Sequence, residues 1–89
     1  MRAVVTVMGS DKPGIIAGTS TLLANNKVNI LDITQTIVRG IFTMVMLVDI
    51  ENSKMELADL SESLKALGTE LGVEIRIQHE DIFNSMHRI

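Results

Sequence analysis

Between two apolar runs the chain carries Gly9-Ser10-Asp11-Lys12-Pro13-Gly14-Ile15-Ile16. Gly9 and Gly14 have the G-x-x-x-x-G spacing that opens a nucleotide phosphate loop. That chemistry also needs a Lys to reach the β- and γ-phosphates and a hydroxyl to hold Mg²⁺, both directly after the second glycine. Ile15 and Ile16 stand there instead, and Lys12 precedes Gly14, so triphosphate hydrolysis is excluded. What remains is a turn that enters a helix. Backbone N–H groups near Gly14 and Ile15 are unpaired at such a point and lie at the positive end of the helix dipole. They can receive a small carboxylate, and Asp11 at the rim can meet an ammonium. An amino acid carries both groups. The same residues also have a structural use: Asp11 or Lys12 near the cap position, Pro13 in the first turn and Gly14 allowing close packing.

Other polar residues offer less. His79 and His87 are the two imidazoles. On a continuous helix they would lie roughly 12 Å apart along the axis, too far to share an ion. Glu80-Asp81 and His87-Arg88 instead suit the two ends of a tail helix. We therefore expect neither a metal site nor a cofactor. Thr19, Ser20 and Thr21 have no base at hydrogen-bonding spacing, which a nucleophile needs, and no acid–base pair is visible. The chain reads as a non-enzyme. Asn29, flanked by Val28 and Ile30, offers an amide donor and acceptor at a strand start, for a ligand or for a turn. Thr34, Gln35 and Thr36 could line a pocket near the loop or make a polar sheet surface.

The elements that must position these residues follow from periodicity. Residues 3–8 are rich in β-branched types and read as a buried strand that Gly9 stops. Residues 13–26 place Ile15, Ile16, Thr19, Leu22 and Leu23 at helical spacing. Residues 28–38 and 41–50 return to strand composition, with Arg39-Gly40 as a tight hairpin turn. Leu57, Leu60, Leu64, Leu67 and Leu71 draw one stripe along a second helix. Ser53-x-x-Glu56 fits a capping box before it, and Gly72 fits the stop after it. Gly68, inside this helix, implies a close contact with a sheet. Residues 73–78 alternate, with Val73, Ile75 and Ile77 facing in. Ile82, Phe83, Met86 and Ile89 mark a short amphipathic tail helix. Two interleaved β-α-β units give an α+β fold: a ferredoxin-like βαββαβ sandwich, four antiparallel strands with two helices on one face, plus a short C-terminal helix.

With 89 residues, one domain is expected over 1–89, a core over 1–80 and a helical tail over 81–89. The formal net charge of −3 leaves no basic excess for gripping a phosphate backbone, so no direct nucleic-acid contact is expected. The absence of cysteine rules out a disulfide scaffold, a thiolate nucleophile and a Cys-ligated zinc. The N-terminal apolar run is short for a signal peptide, and no run approaches the roughly 18 residues of a membrane span. A cytoplasmic protein without a membrane partner is the plain expectation. The sheet face away from the helices would carry Val4, Met8, Val45 and Leu47, which is too apolar for a solvent face. The tail helix, a second subunit, or both should cover it, and we expect a homodimer.

The run V-x-G-x-D-K-P-G-I-I-A followed by N-K-V-N-I-L-D-I-T-Q-T resembles the ACT domain family. The likeness extends over nearly the whole chain and is nearest to small stand-alone ACT proteins similar to the ACT domains of the glycine cleavage system transcriptional repressor. It implies a ferredoxin-like fold and dimers with strands or helices side by side. It also implies a small effector, often an amino acid, held between the first helix of one chain and the second strand of another. Carried onto this sequence, the ligand positions are Ser10, Asp11, Gly14 and Ile15 in the loop, with Asn29 and Ile30 after the first helix. The implied function is a regulatory module that signals through a separate protein partner. A protein-interaction adaptor without a ligand is the alternative.

Overall fold

The computed structural model describes residues 1–86; the expectations for His87, Arg88 and Ile89 lie outside the described residues. The elements are β1 (Arg2–Ser10), α1 (Ile15–Asn25), β2 (Asn29–Val38), β3 (Ile41–Asp49), α2 (Leu57–Leu71), β4 (Val73–His79) and α3 (Glu80–Met86). The sheet order is β2-β3-β1-β4, and all neighbours are antiparallel. This is the ferredoxin-like βαββαβ sandwich with a C-terminal helix.

Alternation decides where the core sits. Ala3, Val5 and Val7 of β1, Phe42, Met44, Met46 and Val48 of β3, and Ile75 and Ile77 of β4 are buried on one face. Ile15, Thr19 and Leu23 of α1 and Leu60 and Leu64 of α2 close over them. The Thr19 hydroxyl donates to the Ile15 carbonyl at 2.8 Å, which lets a polar side chain sit in this core. Two glycines are demanded by close approach. A Cβ on Gly68 would lie 2.6 Å from the Val73 carbonyl oxygen. One on Gly9 would lie 2.7 Å from Val73 Cγ1. Contrary to the expectation from sequence, Gly9 does not stop β1. It carries the strand past the start of β4, and β1 runs on to Ser10.

The opposite face is uneven. Val4 is buried and Leu47 half-buried, whereas Met8 (56% exposed) and Val45 (36%) are open, so the expected apolar face is only partly covered. α3 packs on β1 and β4. Its first residue is pinned by Arg2, whose Nη2 lies 2.8 Å from Glu80 Oε2. Edge strand β2 stands almost wholly outside the core: Ile30 is half-buried and its other residues are exposed. A bulge at Leu31 interrupts its pairing with β3, after which Asp32–Val38 pair without a break with Leu47–Ile41.

Two predicted helix starts are corrected. α1 begins at Ile15, not Pro13, and its N-cap is Gly14 at φ 94°, so neither Asp11 nor Lys12 caps it. The left-handed glycine turns the chain into the helix, and Pro13 shapes the approach. The Ser53–Glu56 capping box does not form. Ser53 Oγ is engaged with the amide and carbonyl of Met55, and Glu56, at the N-cap, makes no side-chain capping bond. Gly72 does end α2 in the left-handed region, at φ 73°.

Candidate functional site

The loop Ser10–Gly14 is held from two sides. The Asp11 amide donates to the Gly40 carbonyl at 2.9 Å, tying the loop to the β2–β3 turn. Both residues of that turn have positive φ, Arg39 at 53° and Gly40 at 78°, the geometry of a two-residue hairpin turn. From the loop, the Lys12 side chain reaches the end of α2, where its Nζ would lie 2.7 Å from a Cβ placed on Gly72. α2 has no basic residue in its last turn, so Lys12 supplies a positive charge there from outside the helix. Lys12 therefore points its charge at the protein.

Between these anchors the start of α1 is open. The first helical bond runs from the Gly18 amide to the Gly14 carbonyl at 2.8 Å. The amides of Ile15, Ile16 and Ala17 precede it, and no side chain caps them. Three aligned N–H groups at the positive helix end suit an anion such as a carboxylate. Ser10 and Asp11 are exposed beside them, while the Ile15 side chain is buried and only its backbone serves. Sequence reading placed this function near Gly14 and Ile15 and missed Ile16 and Ala17, because it began the helix two residues early.

Asn29 and Ile30 lie elsewhere in the same chain. Asn29 pairs with Asp49, which pairs with Arg2, at the start of β1. The loop follows Ser10, which pairs with Ile41, which pairs with Val38. The two halves of the predicted site are thus separated by the length of β1, about 26 Å at 3.3 Å per residue. One chain does not bring them together. Thr34 and Thr36 lie on the open face opposite Val45 and Thr43, and Gln35 faces the other way opposite Met44.

The tail residues do local work. His79 Nδ1 accepts the Asp81 amide at 3.1 Å, and Glu80 pairs with Arg2. Among the described residues no group of three or more His, Cys, Asp or Glu side chains could hold a metal ion. Clefts of about 480, 530 and 520 Å³ lie along the β4 edge, under α3 and between the helices, all lined by residues outside the loop. No helix among the described residues is long and apolar enough to cross a membrane.

The model of the ACT domain matches residues 2–78. The chain belongs to the ACT domain family. Relatives agree over the full length. A UPF0237 protein of Methanocaldococcus jannaschii is 56% identical over 88 residues, covering 99% of this chain and 98% of that one. Among solved structures, an ACT domain protein from Streptococcus pneumoniae superimposes with a TM-score of 0.82 at 41% identity, covering 93% of each chain. A glycine cleavage system transcriptional repressor matches with a TM-score of 0.70 at 25% identity, over 86% of this chain and 44% of that one. ACT domains are in general regulatory modules that bind small ligands.

Proposed function

We propose that this ACT protein binds an amino acid as a homodimer and signals through a separate protein partner. The observation that carries the reading is the pairing of an uncapped α1 start with an unpaired β2 edge. Three free amides offer a carboxylate its partners, and Asp11 at the rim offers one to an ammonium. On the helix side of that edge, Ile33 (43% exposed) and Ile37 (53%) of β2 lie bare, and Ile16 at the start of α1 is 39% exposed. Asp32–Val38 form a regular stretch along the sheet edge, in which the Ile33 amide donates to Asp32 Oδ1 at 2.9 Å and would have to exchange that bond on pairing. Antiparallel pairing of this stretch with its copy about a two-fold axis would bury those side chains. It would also carry Asn29 and Ile30 of one protomer towards the loop of the other, completing the Ser10, Asp11, Gly14, Ile15, Asn29 and Ile30 set across the interface.

Thermal-shift screening against the amino acids tests the ligand. A ligand at 100 times its Kd adds about 2.7 kcal/mol of stability. Asp11→Ala should reduce that shift while leaving the fold intact. If no amino acid shifts the protein, the ligand reading falls and a ligand-free interaction adaptor takes its place. The dimer is tested by light scattering at micromolar concentration, where a 9.8 kDa species would refute it.

A further inference from the structure

The loop does not account for the 530 Å³ cleft on the open face, bounded by α3. The pairing registers fix what its floor presents. One cross-strand row reads Arg76, Thr6, Val45, and the next reads Glu74, Met8, Thr43. Phe83 and Met86 of α3 form the wall, and Gln78 donates its amide to Met86 Sδ at 3.3 Å, holding the end of α3 against the sheet.

The polar groups here are of two signs and have capacity to spare. Arg76 donates through Nε to Glu74 Oε1, and its two terminal nitrogens make no hydrogen bond among the described residues. The hydroxyls of Thr6 and Thr43 likewise have no hydrogen-bond partner among the described residues. Arg76 and Glu74 are two residues apart on one strand, so their Cα atoms lie about 7 Å apart, and their side chains project from the same face and meet in an ion pair. Beside them lies an apolar surface of Met8, Val45, Phe83 and Met86. The volume falls in the roughly 300–1,000 Å³ range of small-molecule sites.

We propose that this cleft binds an aliphatic α-amino acid, at a site separate from the α1 loop. The carboxylate takes the terminal nitrogens of Arg76 and the Thr6 hydroxyl. The ammonium takes Glu74. The aliphatic side chain lies over Met8 and Val45 against the wall of α3. A simple aliphatic acid engages only the terminal nitrogens of Arg76, and a simple amine only the Glu74 carboxylate, so a molecule with both charges gains a contact that either one lacks.

The test uses the full chain carrying ¹³C-methyl methionine, titrated with L-leucine and followed by NMR. Met8 and Met86 line the cleft, whereas Met44 and Met46 are fully buried on the other side of the sheet and act as internal references. The methyl signals of Met8 and Met86 should move saturably while those of Met44 and Met46 stay. 4-Methylpentanoate and 3-methylbutylamine, each lacking one charge, should bind about tenfold more weakly. Val45→Arg should abolish the movement, and Asp11→Ala should leave it unchanged. Stationary Met8 and Met86 signals at millimolar leucine would overturn the proposal, as would movement that survives Val45→Arg or is lost in Asp11→Ala. Should Val45→Arg misfold, Arg76→Gln with Glu74→Gln replaces it, and unchanged leucine affinity in that variant also overturns the site.

Discussion

At the scale of single residues, the sharpest constraints come from atoms that are missing. A methyl on Gly68 would collide with the Val73 carbonyl, a backbone atom that cannot swing aside. Gly68→Ala should therefore destabilise the fold by about 1–3 kcal/mol despite alanine's better helix propensity. Urea unfolding measures this, and a stabilised variant would contradict the close α2–β4 approach. Arg39 makes the opposite case. Its φ of 53° is costly for a side chain with a Cβ, and nothing in the structure explains why arginine occupies the position. Arg39→Asn should raise stability by about 0.5–1 kcal/mol, read as a higher urea midpoint at unchanged slope. Gly68 could be recognised in the sequence because a glycine inside a strong leucine stripe breaks the local pattern. Gly9 was misread as a strand end because its reason is Val73, a neighbour in space and not in sequence.

At the scale of elements, periodicity located every strand and helix but not how the helices begin. Ser53-x-x-Glu56 matched a capping box by spacing, yet the Ser53 hydroxyl found the backbone of Met55 first. Ser53→Ala should thus act through the turn before α2, while Glu56→Ala should cost less than the roughly 1 kcal/mol of a lost N-cap bond. Thermal unfolding of the two variants separates these contributions. β2 reads from composition as a strand, but its exposure could not be read there, because it follows from the position of β2 at the edge of the sheet. Ile33→Lys with Ile37→Lys places charges on the free edge, a device that blocks strand pairing. This double variant should keep its circular dichroism spectrum and, with the proposed β2–β2 interface blocked, run as a monomer in light scattering. A persistent dimer would move the interface elsewhere.

For the whole molecule, the order β2-β3-β1-β4 explains why the expected ligand positions fall in two groups, the loop at one end of β1 and Asn29 and Ile30 at the other, as a site shared between two chains requires. The loop and Asn29 are 15 positions or more apart in sequence, and the motif gives no hint that strand direction carries them to opposite ends of the sheet. Only the topology does. The same order makes α3 a cover for one side of the open face. Ending the chain at His79 removes Phe83 from that face and the Arg2–Glu80 pair from its edge. This truncation should cost about 1–2 kcal/mol, the value of a half-buried aromatic side chain, and should increase binding of an apolar dye. An unchanged melting temperature would mean that α3 does not contribute to holding the sheet.

The position of β1 also sets a timetable for synthesis. This strand is made first, yet it lies between β3 and β4, and its pairing with β4 joins Ala3 to His79. At about 5–20 residues per second, the ribosome takes several seconds to supply that last partner. Until then one side of a strand containing Val4, Val5 and Val7 has no neighbour, and the hairpin of β2 and β3 can shield only the other. The sheet can be completed only after β4 emerges, when the first and last strands of the domain close together. For a newborn copy the danger lies in that interval, when another nascent chain offers a strand before its own has arrived.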